Sequence, residues 1–210
     1  MISYAVVAHE SRLVQATNLA HSVGAVVSVD DGSKGAGANH VEAWRLTAGI
    51  EDAEWAAVLE DDAEPVQDFL LQAQQALQVA PEPIVSFYAG RTRPRRWQDA
   101  LRPAVAEADR VNACWLTTSL AAHAVAIAMH VDLREDWIEF ATHHHLPPDE
   151  RLTAWMYARG HRIAYTWPNL VDHADGPSLI SSTNTQGVTG PRKAWRTGTR
   201  QHWTDKTVKV

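Results

Sequence analysis

Residues 55–65 read Trp55-Ala56-Ala57-Val58-Leu59-Glu60-Asp61-Asp62-Ala63-Glu64-Pro65. The first five form an apolar run of strand length, and three acids follow without a break. Pro65 then suits the first turn of a helix, where its missing N–H costs nothing, and the pattern predicts that helix to run to about residue 79. Outward from this junction the same alternation repeats. Residues 2–8 read as a strand, 11–22 as a helix and 25–29 as a second strand. The Gly-rich turn 31–37 opens a helix over 38–48, and 83–88 forms a fourth strand. Strands alternating with helices predict an α/β fold whose mainly parallel central sheet carries helices on both faces.

Further on the pattern loosens. Residues 110–118 suggest a strand, and 119–130 a helix followed closely by another through Trp137 and Phe140. Pro147-Pro148 introduces a helix over 149–159, closed by Gly160, and 161–166 returns as a last strand. Beyond Pro168 the chain is rich in Gly, Ser, Thr and Asn, so a long functional loop is expected. The domain is drawn as residues 1–180, with 181–210 as a basic tail packed on it. With 210 residues and 45% hydrophobic composition the chain can bury one core. No apolar run approaches the roughly 18 residues of a membrane span. Cys114, the single cysteine, excludes an internal disulfide framework and a cysteine-only metal site. The N-terminus lacks the positive region of a signal peptide, so a cytoplasmic location is expected.

The formal net charge of −6 argues against a nucleic-acid partner, but its distribution does not. Arg91, Arg93, Arg95, Arg96 and Arg102 are opposed in their stretch only by Asp99. Arg192, Lys193, Arg196, Arg200, Lys206 and Lys209 are opposed only by Asp205. These two stretches hold 11 of the 19 basic residues, and the rest of the chain is strongly acidic. Such segregation can steer a polyanion to one face, although two solvated basic loops would look the same. Trp97, Trp195 and Trp203 lie within the basic stretches. Arginines beside aromatics suit phosphates and unpaired bases. Trp44, Trp55 and Trp155 sit at core-like spacings.

Three adjacent acids after a buried strand repel one another unless a cation or proton relieves them. Ligands of open α/β sheets bind at the carboxyl ends of strands, where these acids fall. A helix start favouring acids would account for Asp62 or Glu64 singly, but poorly for the triplet. Val58-Leu59-Glu60-Asp61-Asp62-Ala63 resembles the Asp-x-Asp type motif of glycosyltransferases with the A-type fold, which implies a single Rossmann-like domain. It is most similar to the Leu-Glu-Asp-Asp signature of the lipopolysaccharide-type galactosyltransferases and to small phage-encoded glycosyltransferases. His9-Glu10-Ser11-Arg12 after the first strand, Asp30-Asp31 ending the second, the late Pro148-Asp149-Glu150-Arg151-Leu152, and Pro168-Asn169-Leu170-Val171-Asp172-His173 match in order over about residues 1–180.

The resemblance implies transfer of a sugar from a nucleotide diphosphate, UDP-linked, to a hydroxyl, with Mn²⁺ or Mg²⁺ neutralising the departing diphosphate. Asp62 and His173 would ligate the ion, and a carboxylate–imidazole set suits Mn²⁺ better than Mg²⁺. Glu60 would contact the ribose or reach the metal through water, and Asp61, which points to the other side in an extended chain, would join the nucleotide-sugar site through a turn. Asp31 would hold the base or ribose, Lys34 would lie close to the nucleotide, and His9 and Arg12 would flank the pyrophosphate or base. An inverting transfer needs a general base, for which Asp149, with Glu150 as substitute, takes the place an acid holds in inverting relatives. Asp149 is equally a favoured N-cap. His143, His144 and His145 are adjacent and do not converge on one ion, so acceptor contact or a solvated loop is the better reading.

For the acceptor, the basic segments favour DNA carrying 5-hydroxymethylcytosine or another hydroxymethyl pyrimidine, as in phage genomes, which would place the enzyme in a host cytoplasm. Arg91, Arg93, Arg95, Arg96, Trp97, Trp195 and Arg196 are the acceptor-binding candidates. No membrane and no obligate protein partner is called for. Protein side chains and saccharides remain alternative acceptors. A metal-dependent nuclease or phosphatase and an inactive nucleic-acid-binding module are the competing classes; the first usually draws its acids from separated segments.

Overall fold

The computed structural model describes residues 1–176 and 191–210. Its N-terminal third alternates as expected: β1 (Ile2–His9), α1 (Leu13–Val23), β2 (Val26–Asp30), α2 (Ala36–Leu46) and β3 (Trp55–Glu60). There follow β4 (Ala63–Pro65), α3 (Phe69–Leu77), β5 (Ile84–Ser86), α4 (Arg95–Val111), β6 (Trp115–Thr118) and β7 (Ala126–His130). The chain continues through α5 (Val131–His143), α6 (Pro148–Arg159), β8 (Ile163–Thr166), β9 (Val171–His173) and β10 (Thr207–Lys209). Eight strands form one sheet in the order β10-β6-β8-β5-β7-β3-β1-β2, and β4 pairs with β9 in a separate two-stranded ribbon. The sheet is mostly parallel: β1, β2, β3, β5 and β8 run one way, and β7, β6 and β10 run against them.

Side chains alternate across β1, so Ala5 and Val7 join one apolar cluster and Tyr4, Val6 and Ala8 the other. The first cluster is covered by α2, α4, α5 and α6 through Trp44, Leu101, Trp137 and Trp155. The second is covered by α1 and α3 through Leu19, Phe69 and Leu77, together with Trp203 of the tail. Helices therefore lie on both faces, and no described helix is long and apolar enough to cross a membrane.

Three expectations are corrected. Pro65 ends strand β4 and does not start a helix; the helix begins at Phe69, after Asp68 in a left-handed conformation. The Ala-rich stretch 119–130 is not helical: its second half is β7, inserted antiparallel between β3 and β5. Alanine's helix propensity loses here to complete burial between two strands. The basic stretch around Arg95 is the start of α4, a 17-residue helix whose Trp97, Leu101, Ala104, Val105 and Ala108 are buried on one face. Residues 191–210 pack on the body. Ala194 bridges to Gly90, Thr197 to Asn169, and β10 adds to the sheet edge beside β6. The boundary drawn at 180/181 lies outside the described residues.

Trp203 anchors this tail, 8% exposed, with its ring 5.6 Å from that of Trp115 and its Nε1 donating to Gln72 Oε1 at 3.0 Å. Truncation of a buried aromatic costs about 3–5 kcal/mol. Trp203→Ala is expected to lose on that order in urea denaturation.

Candidate metal centre and substrate cavity

Strands β1, β2 and β3 end together, with His9 in register with Asp30 and Val7 with Glu60. The acidic triplet therefore leaves the sheet at the shared carboxyl edge, where a cavity of about 570 Å³ opens. That volume suits a nucleotide-sized ligand. Its walls come from the ends of β1 and β3, the turn after β2, the first turns of α2 and α6, the loop after β5, the segment before β7, and His173.

The ribbon of β4 and β9 assembles the centre. Ala63 lies opposite His173, and the Ala174 N–H donates to the Asp62 carbonyl at 2.8 Å. His173 Nε2 is thereby held 3.4 Å from Asp62 Oδ2. The ligand atoms of Glu60, Asp62 and His173 all lie within 4.8 Å of one another. His173 Nδ1 is 2.6 Å from the Ala174 carbonyl. A carbonyl only accepts, so Nδ1 carries the proton and Nε2 turns a lone pair toward the carboxylates, the arrangement of metal-ligating histidines. Asp62 Oδ1 is buried without a hydrogen-bond partner. An imidazole lone pair and two carboxylates gathered within 4.8 Å of one another fit a divalent cation.

The charge around the centre is strained. Burial raises the Asp62 pKa above its ordinary value and the Glu60 charge raises it further, while the hydrogen bond from Arg12 offsets part of this. Burial pushes Glu60 up as well, but its hydrogen bond to His40 leads the opposing effects, which leave it below the usual range. The His40–Glu60 contact is 3.2 Å. Arg12 clamps the other two acids, its Nη1 donating to Asp61 Oδ1 at 2.9 Å and to Asp62 Oδ2 at 2.8 Å. Asp61 also accepts the His9 N–H at 3.0 Å, so it braces the centre and does not enter the triad.

Of the two candidate bases, Asp149 lines the cavity from the first turn of α6 and Glu150 is exposed outside it. Burial, reinforced by the Glu60 charge, raises the Asp149 pKa to about 6. His9 and Arg12 line the cavity, but Asp31 and Lys34 do not. Both are exposed, and Asp31 caps its own turn through the Ser33 N–H. The cavity-lining acid of this turn is Asp30, 4% exposed, which accepts from the Gly32 and Lys34 N–H groups. The difference is one residue of strand phase, because adjacent side chains face opposite ways.

The basic stretches divide. Arg93 and Arg192 line the cavity, with Arg91, Arg95 and Arg96 exposed in the same loop and the start of α4. Trp97 is 5% exposed in the core and Trp195 donates to Gln98 Oε1 at 2.9 Å. Arg196 makes a two-pronged pair with Asp109 and lies over the Trp167 ring. Lys193 pairs with Glu64 and Asp172. The tail cations thus hold the tail to the body, and Trp97, Trp195 and Arg196 are not brought to the cavity. His143, His144 and His145 are exposed, with His144 stacked on Phe140, and they do not line it.

Sequence reasoning missed His40, Tyr88, His123 and Arg192, all on the cavity wall. Ala36, Asn39 and His40 follow helical spacing on one face, a signal usable only once that face is known to meet the acids. His123 was hidden inside an apolar run that reads as helix. No family model matches the chain, and no curated protein matches it.

Proposed function

We propose that this protein is a metal-dependent glycosyltransferase of the A-type fold, moving a sugar from a nucleotide diphosphate to a hydroxyl acceptor. The observation that carries this reading is the convergence of Glu60, Asp62 and His173 at the carboxyl edge of the sheet, in one cavity with Asp149. Those three residues would hold Mn²⁺, or Mg²⁺ less favourably. When bound, the ion supplies Lewis-acid neutralisation of the diphosphate charge. Arg12 and Asp61 keep the acid cluster in place, and His40 orients Glu60. The Asp149 carboxylate accepts the proton of the acceptor hydroxyl as its oxygen bonds to the anomeric carbon, and the bond from that carbon to the diphosphate breaks. This direct displacement inverts the anomeric centre. UDP is the donor nucleotide this reading takes.

The acceptor we assign is DNA bearing a hydroxymethyl pyrimidine. Its support is the exposed arginine group at 91, 95 and 96 next to Arg93 and Arg192 of the cavity wall. The test is incubation with Mn²⁺, UDP-sugars, and DNA containing or lacking 5-hydroxymethylcytosine, followed by mass analysis of the nucleosides. A hexose gain requiring both the hydroxymethyl group and Mn²⁺ is expected. Donor hydrolysis without nucleoside gain would move the acceptor to protein or saccharide, and no reaction with any donor would overturn the transferase reading.

Phosphate contacts release counterions, so DNA affinity should fall steeply with salt. The double variant Arg95→Ala/Arg96→Ala is expected to weaken DNA binding several-fold and lower the salt slope by about 2, one unit per lost phosphate contact. Donor hydrolysis should be unchanged. Arg196→Ala, which loses an intramolecular pair, should leave the slope alone.

A further inference from the structure

The wall of the cavity beside the acid centre holds a histidine that the chemistry above does not use. His123 Nε2 is 2.8 Å from the Arg93 carbonyl. That carbonyl only accepts, so Nε2 carries the ring proton and Nδ1 is left as an acceptor. Nδ1 is buried and has no hydrogen-bond partner. Leaving a buried acceptor unsatisfied costs enough that such atoms call for an explanation, and a cavity-lining ring has one in a ligand donor. The ring cannot readily swing away. It meets Tyr88 edge-on at 4.9 Å between centroids and Trp97 at 5.8 Å. Gly90 closes the remaining side: a Cβ there would lie 2.9 Å from His123 Nε2 and 2.7 Å from the Tyr88 hydroxyl. Burial pushes the His123 pKa down to about 4, so the ring stays a neutral acceptor at working pH.

Position chooses the partner. Tyr88 touches His123 on one side and approaches His173, at 6.0 Å between centroids, on the other. His123 therefore stands one aromatic ring away from the acid centre. A diphosphate at that centre is bonded to the ribose on one side and to the transferred sugar on the other. The order β7-β3-β1-β2 puts His123, before β7, and Asp30, at the end of β2, on opposite sides of the β3 acids, so with the ribose toward Asp30 the sugar faces His123. We infer that His123 Nδ1 accepts a hydrogen bond from a hydroxyl of the transferred sugar, making His123 a specificity-determining residue for the donor's sugar. This rests on the nucleotide-sugar reading above. A site built around a hydrogen bond discriminates strongly, because the analogue without the donor leaves the acceptor unpaired.

The test uses the full chain with Mn²⁺ and two probes, UDP and whichever of UDP-glucose and UDP-galactose binds more tightly. His123→Phe keeps an aromatic ring against Tyr88 and Trp97 and removes the acceptor, while His123→Gln restores an amide that can donate to the Arg93 carbonyl and accept from the sugar. Calorimetry is expected to show a loss of tenfold or more for the UDP-sugar in His123→Phe, with UDP within about twofold of wild type and partial recovery in His123→Gln. In wild-type protein the ¹⁵N resonance of His123 Nδ1 should shift on adding the UDP-sugar and stay in place on adding UDP. Equal losses for both probes, no loss for either, or an unmoved Nδ1 resonance with bound UDP-sugar would overturn the assignment while leaving the transferase reading intact. Failure of wild-type protein to bind either probe would instead overturn the reading on which it rests. Should the phenylalanine variant not fold, the resonance measurement on wild type decides alone.

Discussion

Asp62→Asn is expected to reduce sugar transfer by roughly 10³-fold or more and to abolish stoichiometric Mn²⁺ binding, measured by product formation and by electron paramagnetic resonance of free Mn²⁺. The magnitude follows from removing a charged ligand at a buried point where negative charge develops. Asn keeps the shape and one acceptor oxygen, so the Arg12 contact survives in part. The buried, unpartnered Oδ1 is no longer a charged group out of water, so the fold should not suffer. Asp61→Asn is the informative comparison. Asp61 binds Arg12 and the His9 N–H and lies outside the triad, so its variant should keep Mn²⁺ binding while losing part of the activity. A variant Asp62→Asn that bound Mn²⁺ like wild type would remove the metal centre from the account.

Asp149→Asn is expected to lower the rate of transfer by about 10²–10⁴-fold, the usual contribution of a general base, with donor binding unchanged. On the proposed transferase reading Asp149 works as a base only when ionised. With the Asp149 pKa raised to about 6, transfer should fall about tenfold per pH unit below that value and level off above it. Stability moves the other way. The unfolded carboxyl titrates near 3.8, so between that value and about 6 the folded chain holds a proton the unfolded chain has released. Stability from this group is therefore greatest at low pH and is lost as pH rises through about 6. At pH 7 the ionised carboxylate costs on the order of 1–3 kcal/mol, and Asp149→Asn should regain part of it as a higher Tm. A more stable and far slower variant would mark Asp149 as a functional acid. Asp149 is not the expected N-cap, because α6 starts at Pro148 with Pro147 in that place, so a variant destabilised with unchanged rate would make it only a first-turn acid favouring the helix dipole.

His173 was readable as a late histidine in a matching order of motifs, but nothing in its neighbourhood of the chain connects it to Asp62, 111 positions earlier. The β4–β9 ribbon makes that connection, and β4 was obscured because Pro65 reads as a helix start. Proline also tolerates a strand edge, where its missing N–H leaves no ladder bond broken, and local sequence does not choose between the two. The tail shows the same limit. Its arginines and tryptophans read as a binding surface, because exposed and buried uses of Arg and Trp have one composition. Their carboxylate and amide partners, Asp109, Gln98 and Gln72, lie about 90–130 positions away.

What the sequence determined by itself was local and periodic. Apolar runs of strand length alternating with helical spacing specify the α/β class, and the acids at the end of 55–60 place a charged junction at the carboxyl edge of the sheet. Both follow from burial and side-chain periodicity, which act over a few residues. The tertiary structure alone decided that β7 enters the sheet as an Ala-rich strand, that Asp30 and not Asp31 turns to the cavity, and that Glu60, Asp62 and His173 share one point. Each of these depends on which distant segment lies alongside, and long-range pairing is not encoded in the propensity of either partner.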